Sequence, residues 1–486
     1  MVSPDQIKHR VLLIFMSSTD LAQMRHLASG LSEVGDFEFF TCALAQGRQV
    51  FSPGISGNAL PQERPPHLPD HSERKPEESA LKGWLGKRLY GSIKTVFRSH
   101  AHYEPLASFR LLRRVFLDFL YWRQYRLEAE RFLAEHQIDS VITCNDTTLQ
   151  YLPTLKAAEL RNLPVILARS ANIYFHERSD GYRNSVKHGM RARMPEMHVD
   201  QADCFARGVV NWIIRRFAPT HIDSTIWGRL VAYDTASILS LAMAGIRAPH
   251  FWHLGMSWTK YIVVSGDDEI KALKSYGIPD NKILPIGCVP FETVNAALKN
   301  RDSLRAGICG NLGLDQNKPL ILFTIPAGWE HRMWTHEQQF SYLCTTFTLL
   351  AQFDANVVIA LHPLSVRQDY QELATQFSLA FLDGQLIDSI AIADIFLGAD
   401  NSSVLRWAMA IGIPTMNFQH NPHSVRIDLP EDYPNIVDPI EFTKWLAYQI
   451  ARSPIKTDEL LAQRQRPMNL ISTGKFYKNL ADALLP

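Results

Sequence analysis

Short apolar runs of strand length alternate with amphipathic stretches of helix length in the first part of the chain. Residues 11–16 are a continuous apolar run, and residues 37–42 form a second one. Between them, the polar residues from Ser17 to Asp20 can cap a helix that continues to about residue 31. A strand–helix–strand order of this kind is typical of a parallel α/β sheet.

The same pattern continues further along the chain and begins again after a polar stretch. Residues 299–318 are rich in Lys, Asn, Arg, Asp and Gly, which indicates a linker. The sequence therefore predicts two Rossmann-like α/β domains, at 1–295 and 315–440, followed by a helical tail at 441–486. Strands are predicted at 139–144, 163–168, 261–265, 282–287, 319–325, 355–361, 395–397 and 415–418, with helices that include 146–161, 337–352 and 402–411.

An insertion at 47–134 departs from this pattern. Six prolines between Phe51 and Ser79, without any periodicity, predict a flexible excursion. Residues 81–134 are helical in pattern but alternate basic with aromatic side chains. Two interpretations stay open. Either the aromatic residues form a core while the arginines face water, or residues 81–126 contact a membrane surface or hold a lipid-linked, anionic acceptor.

Composition narrows the class of protein. Of 486 residues, 46% are hydrophobic, and 50 basic residues against 49 acidic ones give a net charge of +1. This balance excludes an overall polyanion-binding character, and no nucleic-acid-binding module is found, so no nucleic-acid partner is expected. We expect no secretory leader, and no apolar run is as long as a membrane-spanning helix. Its six scattered cysteines indicate a reducing compartment, and we expect a cytoplasmic enzyme.

Polar loops follow three strands of the predicted second domain, at the edge where parallel sheets bind ligands. Strand 319–325 leads into Gly328, whose missing side chain lets a ligand approach the backbone closely. Strand 355–361 leads into His362 and Pro363, and strand 395–397 leads into Asn401, Ser402 and Ser403. Three neighbouring loops of this composition predict a ligand site.

The chemistry of these loops suits a phosphorylated ligand. Ser402 and Ser403 begin a predicted helix, where hydroxyl groups, backbone N–H groups and the helix dipole favour a phosphate, and His362 adds a donor. Asp383, in the loop 381–384, is predicted to lie beside a nucleobase held by backbone hydrogen bonds. A plainer interpretation also stays open, in which Ser402 and Ser403 only cap the helix and His362 is an ordinary loop residue before a strand-ending proline.

The first domain offers three candidates for catalysis. A general base must be a carboxylate or histidine near the attacking hydroxyl. Asp146 directly follows strand 139–144, Asp20 lies at the end of the first strand, and His176 lies in a polar loop after strand 163–168. Asp146 can alternatively cap the helix predicted to begin there, and the loop of His176 can simply be solvated.

Two segments resemble known enzymes. Residues 387–418 resemble the donor-binding segment of GT-B glycosyltransferases, through Ala393-Asp394, the Asn401-Ser402-Ser403 loop and Gly412-Ile413-Pro414, and residues 261–292 are similar to the end of a GT-B N-terminal domain. The His362-Pro363 and Ser402-Ser403 pair is also similar to motifs of bacterial sialyltransferases and CDP-glycerol polymer transferases.

The resemblance implies a fold and an activity. The fold would be GT-B, with two Rossmann-like domains facing across a cleft and helical insertions in the N-terminal, acceptor-binding one. The activity would be metal-independent transfer of a sugar from a nucleotide-sugar donor, CMP- or UDP-linked, to a surface polysaccharide or lipid-linked glycan. No cofactor is implied besides the donor substrate, whose phosphate His362, Ser402 and Ser403 would hold. Such an enzyme would work in the cytoplasm or at the inner face of the cytoplasmic membrane.

Three alternatives share this fold. The first is an enzyme like UDP-N-acetylglucosamine 2-epimerase, which would need no acceptor. The second is a phosphotransferase that moves an alcohol phosphate from a CDP carrier. The third is a non-catalytic scaffold, which would not bind nucleotide. Fold analogy does not separate them.

Overall fold

The chain forms two compact α/β units in a computed structural model. The described residues up to 262 belong to the first unit and residues 263–483 to the second. The sequence assigned residues 263–295 to the first domain, whereas the structure groups them with the second unit. The structure describes residues 8–16, 18–45, 48–55, 104–168, 199–200, 204–217, 222–225, 228–231, 233–247, 255, 257–275, 277–330, 334–399, 402, 404–419, 435–463 and 474–485.

The first sheet has seven strands in the order β3-β2-β1-β4-β5-β8-β9, and β6 and β7 form a separate antiparallel pair. Neighbours from β2 to β8 are parallel, and β3 is antiparallel to β2. The strands are β1 (His9–Phe15), β2 (Phe37–Ala45), β3 (Arg48–Ile55), β4 (Ser140–Thr143), β5 (Val165–Leu167), β6 (Ile222–Thr225), β7 (Gly228–Val231), β8 (Tyr261–Val263) and β9 (Ile283–Leu284). The helices are α1 (Ser18–Val34), α2 (Glu104–Glu135), α3 (Leu152–Leu160), α4 (Phe205–Phe217), α5 (Thr235–Met243) and α6 (Asp267–Ser275).

The second sheet has six strands, all parallel, in the order β12-β11-β10-β13-β14-β15. The strands are β10 (Leu320–Thr324), β11 (Asn356–Ala360), β12 (Ala380–Phe381), β13 (Ile395–Gly398), β14 (Thr415–Phe418) and β15 (Asn435–Ile436). The helices are α7 (Val289–Lys299), α8 (Arg301–Leu312), α9 (His336–Leu350), α10 (Gln371–Gln376), α11 (Leu386–Ser389), α12 (Val404–Ala410), α13 (Pro439–Ile450), α14 (Thr457–Gln463) and α15 (Phe476–Leu484). The α/β class with two parallel sheets, expected from the sequence, is confirmed.

Both faces of the second sheet are covered, which explains its uninterrupted apolar strands. Leu320 and Leu322 pack into a core with α7 and α12, whereas Ile321 and Phe323 pack into a second core with α9. Side chains alternate between faces along a strand, so a strand covered on both faces must be apolar throughout.

The expected excursion at 47–79 begins with a strand. Residues 48–55 form β3, and the Phe51 ring stacks on Phe132 of α2 with 4.5 Å between the ring centroids. Strand β3 was not predicted because it follows β2 directly in an antiparallel hairpin, without the intervening helix that separates parallel strands. The rest of the excursion, and residues 81–103, lie outside the described residues.

The linker expected at 299–318 is wrong, because most of it is helix. Helix α8 spans Arg301–Leu312 and ends at Gly313, which adopts a left-handed conformation with φ 67°. Two of its charged residues are buried inside the unit, since Arg301 and Arg305 are only 4% and 7% exposed. A linker would leave these arginines in water.

The buried carboxylate of Asp394, immediately before β13, binds both arginines. Asp394 is 0% exposed. Its Oδ1 accepts from Arg301 Nη2 at 2.7 Å, and its Oδ2 accepts from Arg305 Nη1 at 2.8 Å. The backbone N–H groups of Leu320 and Ile455 donate to the same carboxylate at 2.9 and 3.1 Å. One side chain therefore joins α8, the start of β10 and the segment before α14.

The two guanidinium groups are saturated by further backbone acceptors. Arg301 donates to the carbonyl groups of Ala391, Ala393 and Ile455. Arg305 donates to the carbonyl groups of Ile392, Gln316 and Lys318. A buried ion pair is favourable only when its remaining polar atoms are also paired, and this cluster meets that condition.

We expect Asp394→Ala to lower the free energy of unfolding by about 3–5 kcal/mol, because it leaves two buried arginines without a counter-charge. Urea denaturation followed by circular dichroism measures the change.

The matched control is Asp354→Ala, which removes an exposed carboxylate paired with Lys318 at 2.5 Å. Water replaces that partner, so no measurable change is expected. Equal losses in the two variants would contradict a special role for Asp394.

Candidate functional site

The strand order of the second sheet places a switch point beside β10. The chain runs from β10 outward through β11 and β12, then returns to the other side of β10 with β13. Connections on the two sides of such a switch point leave the sheet in opposite directions, and ligands bind outside the carboxyl ends of its strands. All these strands are parallel, so the loops after β10, β11 and β13 lie at the same edge.

The loop after β11 is a tight turn that fixes the His362 ring. Ser365 N–H donates to the His362 carbonyl at 2.8 Å, with exposed Pro363 in the second position of the turn. Leu364 N–H donates to His362 Nδ1 at 3.2 Å. Because Nδ1 accepts a hydrogen bond, the hydrogen of the neutral ring is on Nε2. His362 is thus set to donate through Nε2.

Gly328, in the loop after β10, is needed for packing within the chain. A Cβ atom at this position would lie 2.4 Å from Cδ2 of the Trp334 indole. Trp334 is buried, and its N–H donates to the Gly328 carbonyl at 3.1 Å. We expected glycine at position 328 because a ligand would approach the backbone there. In the structure the neighbour that leaves no room for a side chain is the Trp334 indole.

Glu330 joins the loops after β10 and β11. Its Oε1 accepts from Ser365 Oγ and, at 2.7 Å, from the Tyr370 hydroxyl. Its Oε2 accepts from Gln339 Nε2 at 3.3 Å, and Gln339 Oε1 accepts from Trp329 N–H at 2.8 Å. The network holds the two loops in one arrangement.

These hydrogen bonds also set the protonation of the network. Partial burial acts to raise the pKa of Glu330, but donors on Ser365, Tyr370 and Gln339 outweigh it, and the net pKa is lowered. Burial and the adjacent carboxylate raise the pKa of Tyr370. Glu330 is therefore an anion that accepts hydrogen bonds. The site residues predicted from the sequence did not include it, although its position directly after the Gly328 turn was a signal.

The loop after β13 contains Ser402, which is partly buried. Its N–H donates to the Ala399 carbonyl at 3.3 Å, and its carbonyl accepts from Leu405 N–H at 3.1 Å. The helix that follows begins at Val404, two residues later than predicted, and has seven residues. Asn401 and Ser403 lie outside the described residues.

Helix α12 is fixed behind this loop by a buried ion cluster. Arg406 donates to Glu269 Oε1 at 3.0 Å and to Asp268 Oδ1 at 2.9 Å. Glu269 in turn accepts from the N–H and Oγ of Ser265, after β8, and all three of Ser265, Glu269 and Arg406 are 3% exposed. No local pattern indicated that Arg406 would pair with Glu269, which lies 137 residues away in the chain.

Asp383 lies at the surface. Its Oδ1 accepts from Arg367 Nη1 at 2.9 Å, and both side chains are exposed. The Arg367 guanidinium also lies 4.5 Å from the centre of the Phe381 ring. The predicted contact of this loop with a nucleobase stays a prediction.

In the first unit, Asp146 is a buried anchor for a loop. It is 0% exposed and accepts from Gly255 N–H at 3.0 Å, from Ser257 N–H at 3.4 Å and from Thr259 Oγ1 at 2.7 Å. The helix that it was expected to cap begins at Leu152, so that interpretation is wrong. A carboxylate so enclosed has no oxygen exposed to a substrate, and the geometry supports a positioning role.

Asp20, by contrast, is partly exposed near the carboxyl end of β1. Met16 N–H donates to its Oδ2 at 3.4 Å. The hydroxyl of buried Tyr151 also donates to Asp20, and burial followed by this carboxylate raises the pKa of Tyr151. The first sheet has its own switch point between β1 and β4, and Asp20 lies there. His176 lies outside the described residues.

Comparisons with known proteins give likeness in fold only. No protein-family model matches the chain, and no curated protein is found to be similar. A UDP-GlcNAc 2-epimerase from Neisseria meningitidis bound to UDP-GlcNAc is 13% identical, with a TM-score of 0.49 over 98% of this chain and 99% of that one. The UDP-GlcNAc 2-epimerase from Methanocaldococcus jannaschii is 11% identical, with a TM-score of 0.47 over the same shares.

The wall teichoic acid polymerase TagF is also similar in fold. It is 12% identical, with a TM-score of 0.41 over 71% of each chain. Within the described part of this chain, no helix is long and apolar enough to cross a bilayer, and no cluster of three or more His, Cys, Asp or Glu residues could hold a metal ion.

The Glu330 network predicts a pH dependence. A lowered pKa means that the unfolded chain binds the proton first, so Glu330 stabilises the fold fully above its ordinary pKa of 4.5 and this contribution is lost as the pH falls through the folded value. We expect the difference in unfolding free energy between wild type and Glu330→Gln to be constant near neutral pH and to shrink in acid. A difference that grows in acid would contradict this assignment.

The buried position of Asp146 predicts loss of stability. Asp146→Asn turns an amide donor toward N–H and O–H donors, so we expect a loss of about 1–3 kcal/mol in urea denaturation. Nucleotide affinity, measured by calorimetry, should not change. Unchanged stability with lost turnover would instead indicate catalysis by Asp146.

Proposed function

We propose that this protein is a metal-independent GT-B glycosyltransferase that binds a nucleotide-sugar at the switch point of the second sheet. The observation that carries the proposal is the convergence of the Gly328–Glu330, His362 and Ser402 loops at the carboxyl ends of β10, β11 and β13. Crevices of this kind in parallel α/β sheets hold nucleotides in many unrelated enzymes.

The donor's phosphate would lie between His362 and Ser402. In the neutral His362 ring the N–H is on Nε2, because Nδ1 accepts from Leu364 N–H, and this N–H would donate to the phosphate. The Ser402 hydroxyl would share the same phosphate oxygens. During transfer the bond from the anomeric carbon to the phosphate oxygen breaks, and these donors would stabilise the charge that develops on the leaving nucleotide.

Glu330 would position these donors rather than touch the phosphate. Its negative charge would repel a phosphate, and its oxygens already accept hydrogen bonds from Ser365, Tyr370 and Gln339. By holding the turn that contains His362, it keeps the imidazole in place before the donor binds. Preorganised donors need little rearrangement at the moment of reaction.

The acceptor would be a glycan or a lipid-linked glycan, whose hydroxyl attacks the anomeric carbon and loses its proton. If configuration inverts, a base must take that proton. Of the predicted candidates in the described residues, Asp20 is partly exposed whereas Asp146 is buried, and the Tyr151 hydroxyl donates to Asp20, so Asp20 would be that base. If configuration is retained, Asp20 would not be needed as the base.

The first test is binding of CMP, CDP, UDP and GDP, and of their common sugar conjugates, by thermal shift and calorimetry. We expect one nucleotide series to stabilise the protein, and His362→Ala to weaken it by about tenfold to a hundredfold, as for loss of a hydrogen bond to a charged group. Ser402→Ala should act in the same direction.

Ser341→Ala, at an exposed position of α9, is the matched control and should bind like wild type. Absence of binding by any nucleotide would refute the proposal in favour of a scaffold. Conversion of UDP-N-acetylglucosamine without an acceptor would favour an epimerase, and phosphorus in the transferred group would favour a phosphotransferase.

A further inference from the structure

Helix α4 presents large apolar side chains to solvent. Phe205, Val209 and Trp212 are 77%, 41% and 56% exposed, and Phe217 at the end of the helix is 71% exposed. The first three are spaced by four and three residues, so they form one face, while Ala206, Val210 and Ile214 form the buried one. Several large apolar side chains exposed on one face of a helix indicate a surface that contacts another molecule or a membrane.

The first half of α2 has a similar face. Phe109, Leu112 and Phe116 follow the same spacing and are 46%, 54% and 37% exposed. Leu111 and Val115 face the core that α2 shares with α4 and α5. The two helices meet where Ala206 N–H donates to Ser108 Oγ at 3.1 Å, so Phe109 and Phe205 both lie next to this contact.

Both faces carry positive charge. Arg110 and Arg113 on α2 and Arg215 and Arg216 on α4 are exposed. No acidic residue occurs in 105–117 or in 205–217, although the whole chain has nearly equal numbers of basic and acidic residues. Arg215 pairs with Asp200 at 3.4 Å, and the Arg216 guanidinium lies 5.6 Å from the centre of the Phe217 ring. The charged residues within these two stretches are therefore all basic.

We propose that the exposed faces of α2 and α4 together form a docking surface for an anionic lipid bilayer. Helices that lie in the plane of a membrane bury Trp, Phe and Leu at the headgroup boundary and keep Arg among anionic headgroups. A second copy fits less well, because a two-fold interface would bring arginines against arginines with no carboxylates in either stretch. The surface belongs to the first unit, and α4 lies outside the region 81–126 suggested by the sequence.

The test is co-sedimentation of the full chain with vesicles, without nucleotide. We expect binding to equimolar phosphatidylglycerol and phosphatidylcholine, much weaker binding to phosphatidylcholine alone, and release by salt. Trp212→Glu should weaken binding about tenfold or more, and the Arg215→Ser/Arg216→Ser variant by a similar factor. Because these side chains are exposed, circular dichroism should show both variants folded.

Ile440→Glu is the matched control, since Ile440 lies on α13 and is 65% exposed. It should bind anionic vesicles like wild type. Failure of the wild type to bind them, or equal loss of binding in Ile440→Glu and Trp212→Glu, would overturn the proposal. So would self-association that Trp212→Glu abolishes in sedimentation equilibrium while vesicles stay unbound. Nucleotide binding plays no part in these measurements, so failure here is distinct from failure of the proposed function.

Discussion

The second unit depends on one buried carboxylate. Asp394 lies at the start of β13 and neutralises two arginines that reach it from α8, while its oxygens also accept from the backbone at the start of β10. Strands β10 and β13 are the two that flank the switch point. The same ionic cluster therefore fixes the amino ends of the strands whose carboxyl ends lead into the candidate site. The charged cluster of Asp394, Arg301 and Arg305 thus holds in place the two strands that precede the candidate loops.

At the carboxyl edge, each loop is held by contacts within the chain. Trp334 packs on Gly328, Glu330 binds the turn after β11, and Arg406 fixes α12 against two carboxylates. None of these contacts needs a ligand, so the loops are arranged before one binds. A site that is ordered in advance loses less free energy on binding, because fewer side chains must be immobilised then.

The first unit has the same kind of strand order but different chemistry at its switch point. Asp146 is buried and accepts from Gly255, Ser257 and Thr259, whereas Asp20 is partly exposed and accepts from Tyr151. The two carboxylates follow neighbouring strands and looked equivalent in the sequence. Burial separates them, since a carboxylate whose oxygens are all engaged is a structural element and a partly exposed one can meet a substrate. Helices α2 and α4 of the same unit combine exposed apolar side chains with exposed arginines, and from this combination we propose a lipid-facing surface.

The sequence by itself determined the α/β class, the two sheets and the positions of nearly all their strands, because a strand buried on both faces must be apolar and each is separated by a helix. It also located the loops of His362 and Ser402, since ligand sites in parallel sheets follow strand ends. It could not show that residues 301–312 form a helix with buried arginines, that Asp146 is enclosed, or that Gly328 accommodates Trp334. Those features depend on partners far away in the chain, such as Asp394, which lies 93 residues from Arg301. Local pattern reports which face of an element is apolar, whereas only the tertiary structure decides which charged group finds a buried partner.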